Sequence, residues 1–363
     1  MALLAYVNSS MLGQFASRSL ISITYTLSAV LSLVLVSVAP NIIRRIGNMK
    51  YVGLSLIGSA LLLYLISTHS GLSIVPFFIV YFALNSVILY GLDLFLEHYS
   101  IESKTGNIRG TYLTLGNIGW VAAPIISSFV QTSFGFSFVY VAAAFAVIAT
   151  SIVVFWGQRG FVDRVYRKSH FVDGLHILRK NKVLRRLTLL NFLLQTYFVV
   201  MVIYSPVYLT EVVGFSWKTL GIILSVMLLP FVVFPYPTGR LADKIGEKHL
   251  MYLGLSIMAV ATIIFANLGI VSAVIYALVL FITRVGASIL ETVCDSAFFK
   301  RVTDADSAVI STYRTMMPVA YTVGPLIAGL IFAIYSYKTL FMIIGTVMAL
   351  AMITVYRIKN IQN

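Results

Sequence analysis

Charge is what this sequence is short of. Of its 363 residues only 10% are Asp, Glu, Lys or Arg, where soluble domains carry about 25%. A water-soluble fold of this composition would lack polar surface. Cysteine is almost absent as well: Cys294 stands alone, which excludes an intrachain disulfide and any multi-cysteine metal site. The five histidines, His69, His98, His170, His176 and His249, show no H-E-x-x-H or other ligand spacing. No G-x-S-x-G, P-loop or G-x-G-x-x-G occurs, and no polar stretch exceeds about thirty residues. An enzyme is therefore not expected, no cofactor is implied, and ATP is not expected to drive anything within this chain. A basic n-region followed by a small-residue cleavage site is missing too, so no cleavable signal peptide is expected.

What is abundant is apolar sequence. Hydrophobic residues make up 60% of the chain and the mean hydropathy is +0.95. A bilayer crossing needs about 20 mostly apolar residues, and such runs follow one another here. Runs like that from Phe136 to Trp156 do not alternate as barrel strands do. The expected class is an all-α polytopic membrane protein. Spans are expected at 1–10 (incomplete), 19–39, 51–67, 72–96, 109–130, 136–156, 186–210, 216–237, 250–268, 271–294, 308–333 and 336–356. Alternate loops collect the basic residues: all 26 except Arg18, Lys218, Lys338, Arg284 and Arg314 fall in one set of loops and the C-terminus. The positive-inside rule puts that set, and the C-terminus, in the cytoplasm of a multi-pass cell-membrane protein. The net charge of +14 thus belongs to topology, and no nucleic-acid partner is expected.

The chain repeats itself at an interval of roughly 200 residues. Ile46-Gly47 recurs as Ile245-Gly246, and Tyr51-Val52-Gly53-Leu54-Ser55 as Tyr252-Leu253-Gly254-Leu255-Ser256. Asp93 and Glu97, one helical turn apart, match Glu291 and Asp295; Ala123-Pro124 matches Gly324-Pro325. Two similar helix bundles are expected, 1–156 and 186–357, joined by a basic cytoplasmic linker at 157–185 and followed by a tail at 358–363. The repeat also predicts that the first span is cut short at its N-terminal end, because its counterpart near Arg186 starts further upstream in its half.

One loop carries more than topology. Gly239-Arg240-Leu241-Ala242-Asp243-Lys244-Ile245-Gly246-Glu247-Lys248 joins two apolar runs. It resembles the G-x-L-x-D-R/K-x-G-R/K-R/K signature of the major facilitator superfamily, with Glu247 in place of one basic residue. The first-half copy runs from Pro40 to Lys50 and has Arg44 where the acid should be. Two six-span halves related about the membrane normal also resemble that family. The resemblance implies two six-helix bundles and secondary transport of a small solute by alternating access. It also implies that spans three, six, nine and twelve form an outer scaffold while the rest line a cavity. Loops of this kind brace against the opposite bundle in the family, which would set Asp243 near Lys104 and Arg109, and Arg44 and Arg45 near Asp304 and Asp306.

Charges inside spans default to functional hypotheses. Arg284, near the middle of span ten, is the first candidate: a guanidinium can hold a carboxylate or phosphate bidentately. The alternative is a structural arginine held by a neighbouring helix. Asp93 and Glu291 are candidates for a proton-carrying site, or for a cytoplasmic gate together with Glu97, Asp295 and Arg314. Asn85 and Gln195, with Asn8, Asn117, Asn191, Tyr90 and Tyr204, could hydrogen-bond a solute or simply join helices. Pro124, Gly324 and Pro325 sit in small-Pro-x-x-small-small runs suited to close helix packing. The basic segment from Val162 to Arg186, with Phe171, Leu175 and Leu178 at helical spacing, suits a surface helix on anionic lipid. The expected protein is a monomeric secondary transporter whose coupling ion could be the proton. A membrane-embedded enzyme or a structural membrane module is the alternative.

Overall fold

In the computed structural model the described residues are 2–99, 105–157, 171–269, 271–302 and 307–358. Within them, the side chains of 93, 96–99, 105–115, 171–175, 243, 307, 308 and 311 are outside the description. Every regular element among the described residues is helical. Only helices and closed barrels satisfy all backbone groups inside a bilayer, so this is what an apolar chain of this length must do. The residues cluster into two compact units, Met1–Lys168 and Ser169–Asn363.

The first unit contains α1 (Ala2–Ala5), α2 (Asn8–Gly13), α3 (Arg18–Ile46), α4 (Asn48–Thr68), α5 (Ile74–Tyr99), α6 (Thr105–Phe134) and α7 (Phe136–Gly157). Spans two to six of the sequence reading fall on α3 to α7. Leu54, Ile57, Leu61 and Tyr64 are exposed on one face of α4 at intervals of three and four, the outward apolar stripe of a lipid-facing helix. The core joins α3, α4 and α5 through Ala39, Ile43, Tyr51, Val52, Leu56, Val87, Ile88 and Phe95. Hydroxyls inside α3 are consumed locally: Ser22, Thr24, Ser28 and Ser32 each donate to the carbonyl four residues back. Such back-bonding lets a polar side chain live in hydrocarbon without a partner helix.

The second unit contains α8 (Phe171–Lys180), α9 (Lys182–Val207), α10 (Trp217–Leu228), α11 (Pro230–Val233), α12 (Pro235–Ile245), α13 (Glu247–Asn267) and α14 (Ala273–Phe299). It ends with α15 (Ser307–Arg314), α16 (Met316–Phe332) and α17 (Tyr337–Tyr356). Two expected spans are interrupted. Span eight is split into α10, α11 and α12, because Pro230, Pro235 and Pro237 each remove a backbone donor. Span eleven breaks at Thr315, between α15 and α16. Beyond Pro206, the last turn of span seven widens to a π-helix at Tyr208–Val212. α13 packs against both α14 and α17. Its crossing with α14 is backbone on backbone: a Cβ at Gly286 would stand 2.7 Å from the Gly254 carbonyl oxygen, and one at Gly254 2.8 Å from that of Gly286.

The two units share a local structure that corrects the sequence repeat. Gly47 (φ 83°, ψ 153°) and Gly246 (φ 84°, ψ 150°) adopt the same glycine-only backbone, and each starts a helix of 21 residues, α4 and α13. Asn48 is therefore the counterpart of Glu247, and Tyr51 falls opposite Leu250. The Tyr-x-Gly-Leu-Ser runs are slipped by two residues relative to the helices that carry them. Counting from Ile74 and Ala273, the starts of α5 and α14, Asn85 and Arg284 are both the twelfth residue. Asp93 then sits opposite Thr292, one position off the Glu291 chosen from the acid pattern.

Candidate functional site

The site grows from one helix face. At 100° per residue, Arg284, Ser288, Glu291 and Asp295 lie on a single stripe of α14. Arg284 is at mid-helix; Glu291 lies about 10 Å and Asp295 about 16 Å further toward the α14 C-terminus, at 1.5 Å per residue. Facing this stripe, α9 runs the other way and offers Asn191, Gln195 and Phe198, also spaced three and four apart.

At the C-terminal end of the α14 stripe the polar groups are satisfied. The Tyr313 hydroxyl donates to Asp295 Oδ1 at 2.7 Å, and its ring stacks on Phe298 with centroids 3.9 Å apart. Asn191 Nδ2 donates to the Tyr313 carbonyl at 2.9 Å, and Gln195 Nε2 donates to Asn191 Oδ1 at 3.3 Å. Three elements, α9, α14 and α15, are thus sewn together by named bonds. Arg314, the next residue after Tyr313, is exposed, and its charge acts on Asp295.

At mid-helix the reverse holds. Arg284 is 1% exposed, and Nε and both Nη atoms have no hydrogen-bond partner among the described residues. Its guanidinium lies over two rings of α9, 5.8 Å from the Tyr197 centroid and 5.7 Å from that of Phe198. Cation–π attraction of this sort is worth about 0.5–2 kcal/mol, well below the several kcal/mol needed to strip an ion of water. The Glu291 carboxylate feels the Arg284 charge along the helix but supplies no hydrogen bond. The rings are themselves fixed. The Tyr197 hydroxyl bonds Thr262 Oγ1 at 2.9 Å, and Phe198 meets Phe231 of α11 edge to face at 5.6 Å. Ser288 Oγ donates to the Pro230 carbonyl at 3.3 Å, tying the interrupted span eight to α14 beside this cluster. Arg284 is thus a buried cation whose donors meet no acceptor among the described residues.

The other candidates from sequence are placed as follows. Asn85 is half-buried and spends its Nδ2 on the Tyr81 carbonyl of its own helix at 3.0 Å. Asn8 accepts from the Tyr140 hydroxyl at 2.8 Å, a bond between helices. Backbone at Asp93, Glu97, Arg109 and Asp243 is helical, but their side chains lie outside the described residues. Lys104, Asp304 and Asp306 lie outside them altogether. Lys244 is exposed, and Arg44 is exposed with an Nη2 bond to Asn41 Oδ1 at 3.3 Å. Gly239 has open space where a Cβ would be, whereas Gly246 is required by its positive φ. Pro124 lies inside α6 and its carbonyl accepts from Ser127 Oγ at 3.2 Å. A Cβ at Gly324, just before Pro325, would come within 3.3 Å of Val199 Cγ1, a close packing of α16 on α9.

Two features have no forewarning in the sequence pattern, and a third, Glu247, is marked there only as a departure from the loop signature. Tyr197, Phe198 and Phe231 are unremarked aromatic residues in an aromatic-rich chain until antiparallel packing aligns them with Arg284. Tyr313 gains meaning only through its bonds. Glu247, the departure from the loop signature, is 8% exposed in its side chain and holds Lys300 Nζ at 3.1 Å, fastening the start of α13 to the end of α14.

Comparison with known proteins adds a family. A profile described as Major Facilitator Superfamily matches residues 1–297 and, in a second match, 218–361. Among solved structures, the nucleoside transporter NupG is similar, with a TM-score of 0.77 at 15% identity over 99% of this chain and 95% of that one. A search of curated proteins finds no match.

Proposed function

The chain belongs to the Major Facilitator Superfamily, and from that premise we propose that Arg284 is where this secondary transporter holds its solute. The observation carrying the proposal is the buried guanidinium with three unpartnered nitrogens. A charge without partners is costly in hydrocarbon, and a transport cycle gives it a partner in the loaded state. In this reading the protein works by alternating access between bundles 1–156 and 186–357, linked through 157–185, with a cytoplasmic C-terminal tail from 358. The loop bias in Lys and Arg supports that orientation. Glu291, on the same face as Arg284, is the proton-carrying candidate that would couple the solute to a proton gradient. Asp295, bonded to Tyr313, belongs to a gate nearer the helix end. The working unit is a monomer, and the basic 157–185 segment sits on lipid headgroups. The NupG likeness, at 15% identity, supports the fold and leaves the solute open.

The experiment is uptake by the purified protein in liposomes. Arg284→Ala and Arg284→Lys should both lose most transport, because Lys cannot reproduce the planar fork. Unchanged rates in both would remove Arg284 from the mechanism. An imposed pH gradient that leaves uptake unaltered would separate Glu291 from coupling.

A further inference from the structure

Around Arg284 the available chemistry is lopsided. On the second unit's helices, hydrogen-bonding side chains near Arg284 already hold protein partners: Tyr197 with Thr262, Gln195 Nε2 with Asn191, Asn191 with Tyr313, and Ser288 with Pro230. Beside the guanidinium this unit presents the half-buried ring of Phe198, which meets the half-buried ring of Phe231 edge to face. A polyhydroxylated solute would have to give up its water for few partners. Each buried hydroxyl left unmatched costs about 1–3 kcal/mol.

Charge narrows the choice further. Arg284 is a single buried cation, and Glu291 and Asp295 occupy the same face toward the helix end. A singly charged anion balances the guanidinium charge for charge. A doubly charged group would leave a net negative charge buried near two acids, with a desolvation penalty that nothing on this face repays. A planar carboxylate also fits two parallel N–H bonds from the guanidinium fork, and all three Arg284 nitrogens are free to make them.

Resting on the reading of Arg284 as the solute-holding residue, we infer that the solute is a monovalent organic carboxylate with a flat apolar body. The carboxylate binds Arg284 and the flat body packs against Phe198 and Phe231. Ring-to-ring contact of this kind adds about 0.5–1.5 kcal/mol to plain area burial.

Thermal unfolding of the purified full chain tests this with matched probes at equal millimolar concentration: benzoate, its neutral analogue benzamide, and phenyl phosphate. A ligand that binds only the folded state raises the midpoint. Benzoate should stabilise, and the other two should not. Arg284→Gln should weaken benzoate about ten- to a hundredfold, as for loss of a charge-assisted pair. Phe198→Leu should weaken it several-fold. Equal stabilisation by benzamide and benzoate, lost together in Arg284→Gln, would overturn the carboxylate class while leaving Arg284 as the solute residue. Benzoate stabilisation that survives Arg284→Gln would overturn both. No shift with benzoate overturns the class directly. If Arg284→Gln does not fold, the preference for benzoate over benzamide, and the several-fold weaker benzoate response of Phe198→Leu, decide the matter.

Discussion

Asn85 and Arg284 stand at the same position of the same helix in the two units, and they behave oppositely. Asn85 turns its amide Nδ2 back onto the Tyr81 carbonyl of α5. Arg284 is buried with no hydrogen bond at any nitrogen. The short Asn85 amide finds an acceptor one turn back in its own helix; the Arg284 guanidinium instead lies over the Tyr197 and Phe198 rings of α9. The difference teaches that the repeat preserves backbone position while the two copies place chemically different side chains there.

Making the second unit like the first is the sharpest way to break this comparison. Arg284→Asn should reduce solute binding about ten- to a hundredfold while raising the unfolding midpoint, since a buried unpaired charge has been removed. Isothermal titration or thermal shift with solute, read beside the unliganded midpoint, checks both halves of that statement. A midpoint that falls sharply would mean Arg284 is structural.

Helix crossings differ next. Gly286→Ala puts a methyl against two backbone atoms, the Gly254 oxygen at 2.7 Å and the Met258 nitrogen at 2.9 Å, so α13 and α14 must part. A loss of about 1–3 kcal/mol is expected, as for overpacking. Gly53→Ala in the first unit meets only the Phe155 ring, 2.3 Å away at Cζ. Phe155 is partly exposed and can swing aside, and alanine gains about 1 kcal/mol of helix propensity, so little net change is expected. Equal losses in detergent unfolding would refute this ranking.

The helix starts give the smallest contrast. Asn48 is fully buried and donates to the Gly91 carbonyl at 2.9 Å. Asn48→Ala should lose about 1 kcal/mol, independent of salt. Glu247→Gln weakens the bridge to Lys300, whose side chain is 41% exposed, and should lose under about 1 kcal/mol, shrinking as salt rises. Denaturation at low and high ionic strength distinguishes the two.

Much of the fold was legible because lipid imposes simple rules. Apolar length fixed the spans, and the loop bias and Gly239–Lys248 signature led to the family. What misled was local similarity: the Tyr-x-Gly-Leu-Ser runs and the paired acids match as strings, yet the helix starts at Asn48 and Glu247 put them out of register. Boundary glycines with positive φ are better markers of equivalence, because only glycine adopts that backbone cheaply. At the site, Arg284 was legible as a charge in the wrong solvent. Its aromatic frame was not, because Tyr197, Phe198 and Phe231 are distinguished from dozens of other apolar residues only by which helix faces which.

The split of span eight has a mechanical consequence. Pro230, Pro235 and Pro237 leave three backbone donors missing within eight residues, so bonds such as Phe234 N–H to the Pro230 carbonyl and Thr238 N–H to the Phe234 carbonyl hold a stretch that an unbroken helix would hold with more. The middle link, α11, is moored to α14 through Ser288 and carries Phe231 against Phe198. α12, with the signature loop at its end, follows that moored link and packs against α14 itself. A bend at these prolines would be felt first at the Phe198–Phe231 pair beside Arg284.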